Sequence, residues 1–108
     1  MATFRELLKA TKAEISEVDT ARGSDLLDAG ATLLDVREPD EYGQGAIPGS
    51  VHVSRGQLES SIENRIADKA ASIVVMCAGG VRSAFAAKTL AELGYTNVVS
   101  MDGGFNKW

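Results

Sequence analysis

Residues 73–83 read Ile-Val-Val-Met-Cys-Ala-Gly-Gly-Val-Arg-Ser and carry the clearest structural signal of the chain. The apolar run at its start predicts a buried strand, and the spacing after the two glycines predicts a helix. The only cysteine of the chain, Cys77, ends that strand. A tight loop between a strand and a helix gathers backbone N–H groups and the positive end of the helix dipole around one point. The stretch therefore predicts an anion-binding loop with a thiol of lowered pKa at its floor.

Outward from this stretch, short strands alternate with helical segments. Strands are predicted at 13–18, 32–37, 51–53, 72–77 and 97–101, and helices at the N-terminus, 19–28, 38–42, 54–66, 83–93 and 103–108. This alternation predicts an α/β fold, with a central, mainly parallel sheet and helices on both faces. We expect residues 1–12 to form a helix packed on the outside and residues 13–108 to form the single domain. In such sheets ligands bind at the carboxyl ends of the strands, where Cys77 falls.

The overall composition narrows the classes of function. The chain has 108 residues, a net charge of −4 and a pI near 4.9, which argues against general nucleic-acid binding. One cysteine allows no internal disulfide, and one histidine argues against a zinc site. No apolar run reaches the length of a membrane span, and the N-terminus lacks an apolar signal core. We therefore expect no metal and no membrane association, with a cytoplasmic location as the default.

Cys77 is the candidate nucleophile. A free cysteine at a strand end is often only a small buried hydrophobe, but the glycine-rich turn and the arginine that follow favour a catalytic role. Arg82 either orders the loop or attracts an anionic donor. The predicted substrate-binding residues are those of the loop: Ala78, Gly79, Gly80, Val81, Arg82 and Ser83.

Three further residues are expected near the rim of this loop. Asp35 and Arg37 stand at the end of the neighbouring strand, where a structural ion pair or hydrogen-bond bracket for the loops is the favoured interpretation. Arg55 follows the third strand and is expected to add positive field near the rim.

Four segments together resemble the rhodanese family, over about residues 15–108. They are residues 34–38 (Leu-Asp-Val-Arg-Glu), 47–50 (Ile-Pro-Gly-Ser), the loop 77–83 and 103–108 (Gly-Gly-Phe-Asn-Lys-Trp). The resemblance implies a single-domain sulfurtransferase whose cysteine carries sulfane sulfur as a persulfide. It implies transfer through Cys77 from thiosulfate or a thiol persulfide to a thiol or cyanide, with a protein as a further option for the acceptor. It implies no cofactor.

The chain departs from the family pattern at two positions. Ala46 stands where a histidine often precedes Ile-Pro-Gly, which we expect to alter the loop more than the chemistry. Ala78 stands where relatives active on thiosulfate often have arginine, which argues against thiosulfate as the preferred donor.

Two other functions remain open. Cysteine phosphatases have a similar loop, but theirs holds one residue more between cysteine and arginine than the four found here. The larger loop surrounds a phosphate, whereas the smaller one suits a single terminal sulfur. A binding or sulfur-relay module with little free turnover is the other alternative, and the presence of Cys77 favours chemistry over it.

Overall fold

A computed structural model describes residues 3–108, and within this range five strands form one sheet. The order across the sheet is β1-β5-β4-β2-β3, and every neighbouring pair is parallel. The predicted α/β class with a parallel sheet is confirmed. The strands are β1 Glu17–Val18, β2 Thr32–Asp35, β3 Val51–His52, β4 Ile73–Met76 and β5 Val98–Met101.

The connections are helical, as the alternation predicted. Thr3 caps the first helix by accepting the N–H of Glu6 at 3.1 Å, and Asp19 caps the second by accepting that of Arg22 at 2.8 Å. The predicted helix over 54–66 is instead a 3₁₀ turn, Arg55–Gln57, followed by an α-helix. The α-helices of the described range are α1 Phe4–Glu14, α2 Thr20–Asp28, α3 Pro39–Gly43, α4 Leu58–Arg65, α5 Val81–Glu92 and α6 Gly104–Lys107.

Strand β4 is the centre of the core, because all four of its residues are buried. Since side chains alternate along a strand, Ile73 and Val75 face one cluster, which also contains Leu58 and Leu90 of α4 and α5. Val74 and Met76 face the other cluster, with partly buried leucines of α2 packed against it. Helices thus cover both faces, and the loop after β4 emerges between the two clusters.

Helix α1 packs on α5 at the outside of the domain. The rings of Phe4 and Phe85 lie 6.3 Å apart between the two helices, and Thr11 is buried. Within residues 3–108, none of the helices combines the length and the apolar character that crossing a membrane requires.

Candidate active site

The helix that follows the loop after β4 begins two residues earlier than the sequence predicted. Helix α5 starts at Val81, directly after Gly80, whose φ of 103° lies in the left-handed region that glycine adopts without penalty. This turn brings the N–H of Gly80 to 3.0 Å from the Cys77 sulfur. The first turn of α5 and the sulfur therefore lie next to each other.

The Cys77 thiol lies at the floor of this loop and is buried, with 1% of the residue exposed. Burial by itself raises the pKa of a thiol. Here the hydrogen bonds from the Ser83 side chain and from the backbone N–H groups of Ser83, Gly80 and Gly79 outweigh burial, and the pKa of Cys77 is lowered. The site therefore stabilises the thiolate, which is the nucleophilic form, more than water does.

Helix α6 holds the outer side of the loop. The N–H of Phe105 donates to the Cys77 carbonyl at 2.8 Å, and that of Asn106 donates to the Ala78 carbonyl at 3.0 Å. Because the N–H and C=O of one peptide point in opposite directions, these bonds turn the following N–H groups away from α6. The N–H of Gly79, which follows the Ala78 carbonyl, consequently points to the sulfur side.

This arrangement requires a glycine at position 104. A Cβ there would overlap the Cys77 carbonyl oxygen and would lie 2.9 Å from that of Ala78. The absence of a side chain thus lets α6 approach the cysteine loop at backbone distance.

Arg82 is engaged by a carboxylate of another element. Its Nη1 and Nη2 atoms donate to the two oxygens of Glu41 in α3, at 2.6 and 3.0 Å. The hydrogen bond from Arg82 is the largest cause that lowers the pKa of Glu41, from 4.5 to about 2. Of the two roles left open by the sequence, the contacts are those of a residue that orders the loop by tying it to α3.

Asp35 and Arg37 form a buried ion pair beside the loop, with exposed fractions of 0% and 4%. The Nε and Nη2 atoms of Arg37 donate to Asp35 at 3.1 and 2.9 Å, and Nη2 also donates to the Gly45 carbonyl at 2.8 Å. The guanidinium lies over the Phe105 ring, 4.0 Å from its centroid. The pair thereby links β2, the segment after α3 and α6.

Arg55 follows β3, and its backbone N–H donates to the Val36 carbonyl at 3.0 Å. Its guanidinium donates to Glu59 at 3.0 Å and to the Thr89 hydroxyl at 3.1 Å. Thr89 lies six residues beyond Ser83 in α5, which is roughly 9 Å along the helix axis. Arg55 therefore joins α4 to α5, and the positive field expected from it near the rim stays a prediction from the sequence.

The six predicted loop residues occupy different places around the sulfur. Gly79, Gly80 and Ser83 direct hydrogen bonds to it, whereas Arg82 faces Glu41 and Val81 is exposed. Ala78 lines the open side.

A cleft of about 270 Å³ opens beside Ala78. Three residues in the wall of this cleft were not predicted as site residues: Gln44, Phe105 and Asn106. Phe105 and Asn106 belong to one of the segments that resemble the family, but no sequence signal marks Gln44. The nearby charges of Arg37 and Arg82 are matched by those of Asp35 and Glu41. The lining residues are Arg37, Glu41, Gln44, Gly45, Ala78, Phe105 and Asn106.

Comparisons with known proteins give consistent results. A family model described as Rhodanese-like domain matches residues 19–108. The thiosulfate sulfurtransferase GlpE of Ectopseudomonas mendocina is 35% identical over 95 residues, which cover 88% of this chain and 85% of that protein.

The similar solved structures include two that cover most of this chain. A protein of unknown function from Rhodopseudomonas palustris, described as a possible tyrosine phosphatase, has a TM-score of 0.90 and 32% identity over 100% of this chain and 89% of that one. The polysulfide-sulfur transferase homodimer of Wolinella succinogenes has a TM-score of 0.82 and 34% identity, over 97% of this chain and 80% of that one.

Proposed function

The chain belongs to the rhodanese-like domain family and is a sulfurtransferase, and from this premise we propose that it transfers a sulfane sulfur through a persulfide on Cys77. The observation that carries the proposal is the Gly80 N–H, 3.0 Å from the Cys77 sulfur, in a loop that lowers the pKa of that thiol. Such a thiolate attacks the outer sulfur of a donor.

In the first half-reaction the thiolate forms an S–S bond to the outer sulfur, and the bond between that sulfur and the rest of the donor breaks. A thiol persulfide leaves as a thiolate, and thiosulfate leaves as sulfite. In the second half-reaction a thiol acceptor, as its thiolate, or cyanide attacks the outer sulfur and releases the Cys77 thiolate. Neither half-reaction needs a metal or an organic cofactor. Because the donor product leaves before the acceptor reacts, the kinetics should be ping-pong.

The burial of Cys77 suits the second half-reaction. Only 1% of the residue is exposed, but the outer sulfur of a persulfide lies one S–S bond, about 2 Å, beyond Sγ. The acceptor therefore needs to reach the outer sulfur and not Sγ itself. The loop N–H groups that bond to Sγ lie close enough to stabilise negative charge on a sulfur attached to it. In other enzymes the loss of one such donor costs roughly 3 kcal/mol in transition-state stabilisation.

We further propose that a thiol persulfide is a better donor than thiosulfate. Arg37 and Arg82 are both paired with carboxylates, and Ala78 contributes no charge at the mouth of the loop, so the cleft offers little net attraction to a dianion. Gln44 and Asn106 offer hydrogen-bond partners, and Phe105 an apolar surface, to the organic part of a thiol. Thiosulfate is the donor to compare with, because it appears in the name of the similar protein GlpE. A higher kcat/KM for thiosulfate than for a thiol persulfide would contradict the proposed preference for the persulfide.

The intact mass of the protein after brief exposure to a donor tests the central step. We expect a gain of one sulfur atom, which cyanide then removes. The matched variant Cys77→Ser should keep the circular dichroism and the Tm of the fold but gain no sulfur. Because the chain has one cysteine, the added mass needs no further assignment. An unchanged mass in the wild-type protein would favour a binding module instead.

Phosphatase activity is a second candidate, because the Rhodopseudomonas palustris structure is described as a possible tyrosine phosphatase. The loop here spaces Cys77 and Arg82 by four residues, and Arg82 is held by Glu41. We expect no phosphate release from an aryl phosphate under conditions that give sulfur transfer. The physiological acceptor, including a protein acceptor, and the cytoplasmic location stay predictions from the sequence.

A further inference from the structure

Ser100 places a hydroxyl inside the protein, behind the cysteine loop. It lies in β5, opposite Val75 of β4, and is fully buried. A buried hydroxyl costs free energy unless it is hydrogen-bonded. The Ser100 hydroxyl donates to the Ser83 oxygen at 2.9 Å.

Ser83 connects this hydroxyl to the reactive sulfur. It is the third residue of α5 and is also fully buried. Its oxygen lies 3.5 Å from the Cys77 sulfur. Three polar groups, from β5, α5 and the end of β4, thus form one buried chain behind the loop.

We propose that Ser100 is a positioning residue that directs the hydroxyl proton of Ser83 onto the Cys77 thiolate. A hydroxyl has one proton and two lone pairs, whereas a thiolate can only accept. Because Ser100 donates to the Ser83 oxygen, one lone pair of that oxygen is occupied and its proton is left for the sulfur. Hydrogen bonds arranged head to tail in this way polarise one another.

Without Ser100, the Ser83 hydroxyl can form other hydrogen bonds. It can rotate to donate to the backbone carbonyl four residues earlier in the chain, as serines in helices often do, or accept a proton from the thiol. Both alternatives favour the neutral thiol. The inference rests on the proposed role of Cys77 as the reacting group and extends it to a residue outside the loop.

Substitutions that test this proposal leave the charged groups near the Cys77 sulfur unchanged. The Arg82 charge is coupled to Cys77, and Glu41 is paired with Arg82. Substitutions at Ser83 and Ser100 alter neither, so a change in the titration of Cys77 would report the hydroxyl chain.

The experiment measures the rate of Cys77 alkylation by iodoacetamide against pH, in the full chain. We expect Ser100→Ala to raise the titration midpoint by about half a pH unit, which is roughly a threefold loss of thiolate below the midpoint. Ser83→Ala should raise it at least as much. The double variant should match Ser83→Ala alone, because Ser100 acts through Ser83. Ser60→Ala, at an exposed serine that donates to the Gln57 carbonyl, is the control and should leave the midpoint unchanged.

A second pair of variants separates the hydroxyl from packing. Ser100→Thr and Ser100→Val have nearly the same shape, but only threonine keeps the hydroxyl. We expect the midpoint of the threonine variant to lie closer to the wild-type value than that of the valine variant. Equal midpoints in this pair, or fully additive shifts of Ser83→Ala and Ser100→Ala, would overturn the proposal.

Alkylation requires no sulfur donor, which keeps this test apart from that of the proposed function. A wild-type protein that gains no sulfur, but whose midpoint depends on Ser100 as expected, would refute sulfur transfer alone. Normal gain of sulfur with a midpoint independent of Ser100 would refute the positioning role alone.

Discussion

Replacing Gly104 by alanine tests whether the approach of α6 aims the cysteine loop. Gly104 has a φ of 51°, in the left-handed region. An added Cβ would overlap the Cys77 carbonyl oxygen and lie 2.9 Å from the Ala78 carbonyl oxygen. These are backbone atoms, which cannot rotate away as a side chain can. Helix α6 must therefore shift outward, and its two hydrogen bonds to the loop lengthen or break.

The expected loss of stability follows from two contributions. Alanine in the left-handed region costs about 1 kcal/mol or more. The bonds from Phe105 and Asn106 to the loop carbonyls contribute about 1 kcal/mol each. The free energy of unfolding should fall by about 3 kcal/mol, which for a domain near this size lowers the Tm by more than about 10 °C.

Urea unfolding and the pH dependence of Cys77 alkylation measure the two consequences. We expect Gly104→Ala to lower the urea midpoint and, because the loop N–H groups move away from the sulfur, to raise the alkylation midpoint. Gly49→Ala is the matched control. Gly49 also has a left-handed φ, 84°, but no heavy atom of the described chain lies within 4 Å of an added Cβ. It should lose only about 1 kcal/mol and titrate as the wild type.

A Gly104→Ala variant that lost no more stability than Gly49→Ala and kept the wild-type alkylation midpoint would contradict this role of Gly104. The contact between α6 and the loop would then be incidental to the geometry of the site.

Three further predictions concern the ion pairs around the loop. Arg37→Met should lower the free energy of unfolding by about 3–5 kcal/mol, because Asp35 would be left buried without its partner; adding Asp35→Asn should recover part of the loss in urea unfolding. Arg82→Ala should lower kcat/KM by a similar factor for thiosulfate and for a thiol persulfide, because Arg82 orders the loop; a loss confined to thiosulfate would instead indicate direct contact with the anion. The pKa of Glu41 is about 2 in the fold against 4.5 as a free side chain, so its contribution to stability is present above pH 4.5 and is lost as the pH falls toward 2. Since Glu41 is about a third exposed, this contribution is about 1 kcal/mol or less, and it should be absent from the acid unfolding profile of Glu41→Gln.

The alternation of strands and helices, the parallel sheet and the position of Cys77 at the end of the central strand could all be predicted from the amino-acid sequence. These features depend on neighbours in the chain: apolar runs, caps such as Thr3 and Asp19, and glycines that permit a turn. The same local signals placed the loop 77–83 before the start of a helix, although the helix begins at Val81 and not at Ser83.

The distant groups that meet at that loop could not be predicted and became visible in the folded chain. Arg82 pairs with Glu41, 41 residues earlier, and Arg55 bonds to Thr89, 34 residues later. Ser100 reaches Ser83 because β5 lies beside β4 in the sheet. No local pattern encodes such partners, since they depend on the order of the strands and on which side chains the packing of helices brings within hydrogen-bond distance.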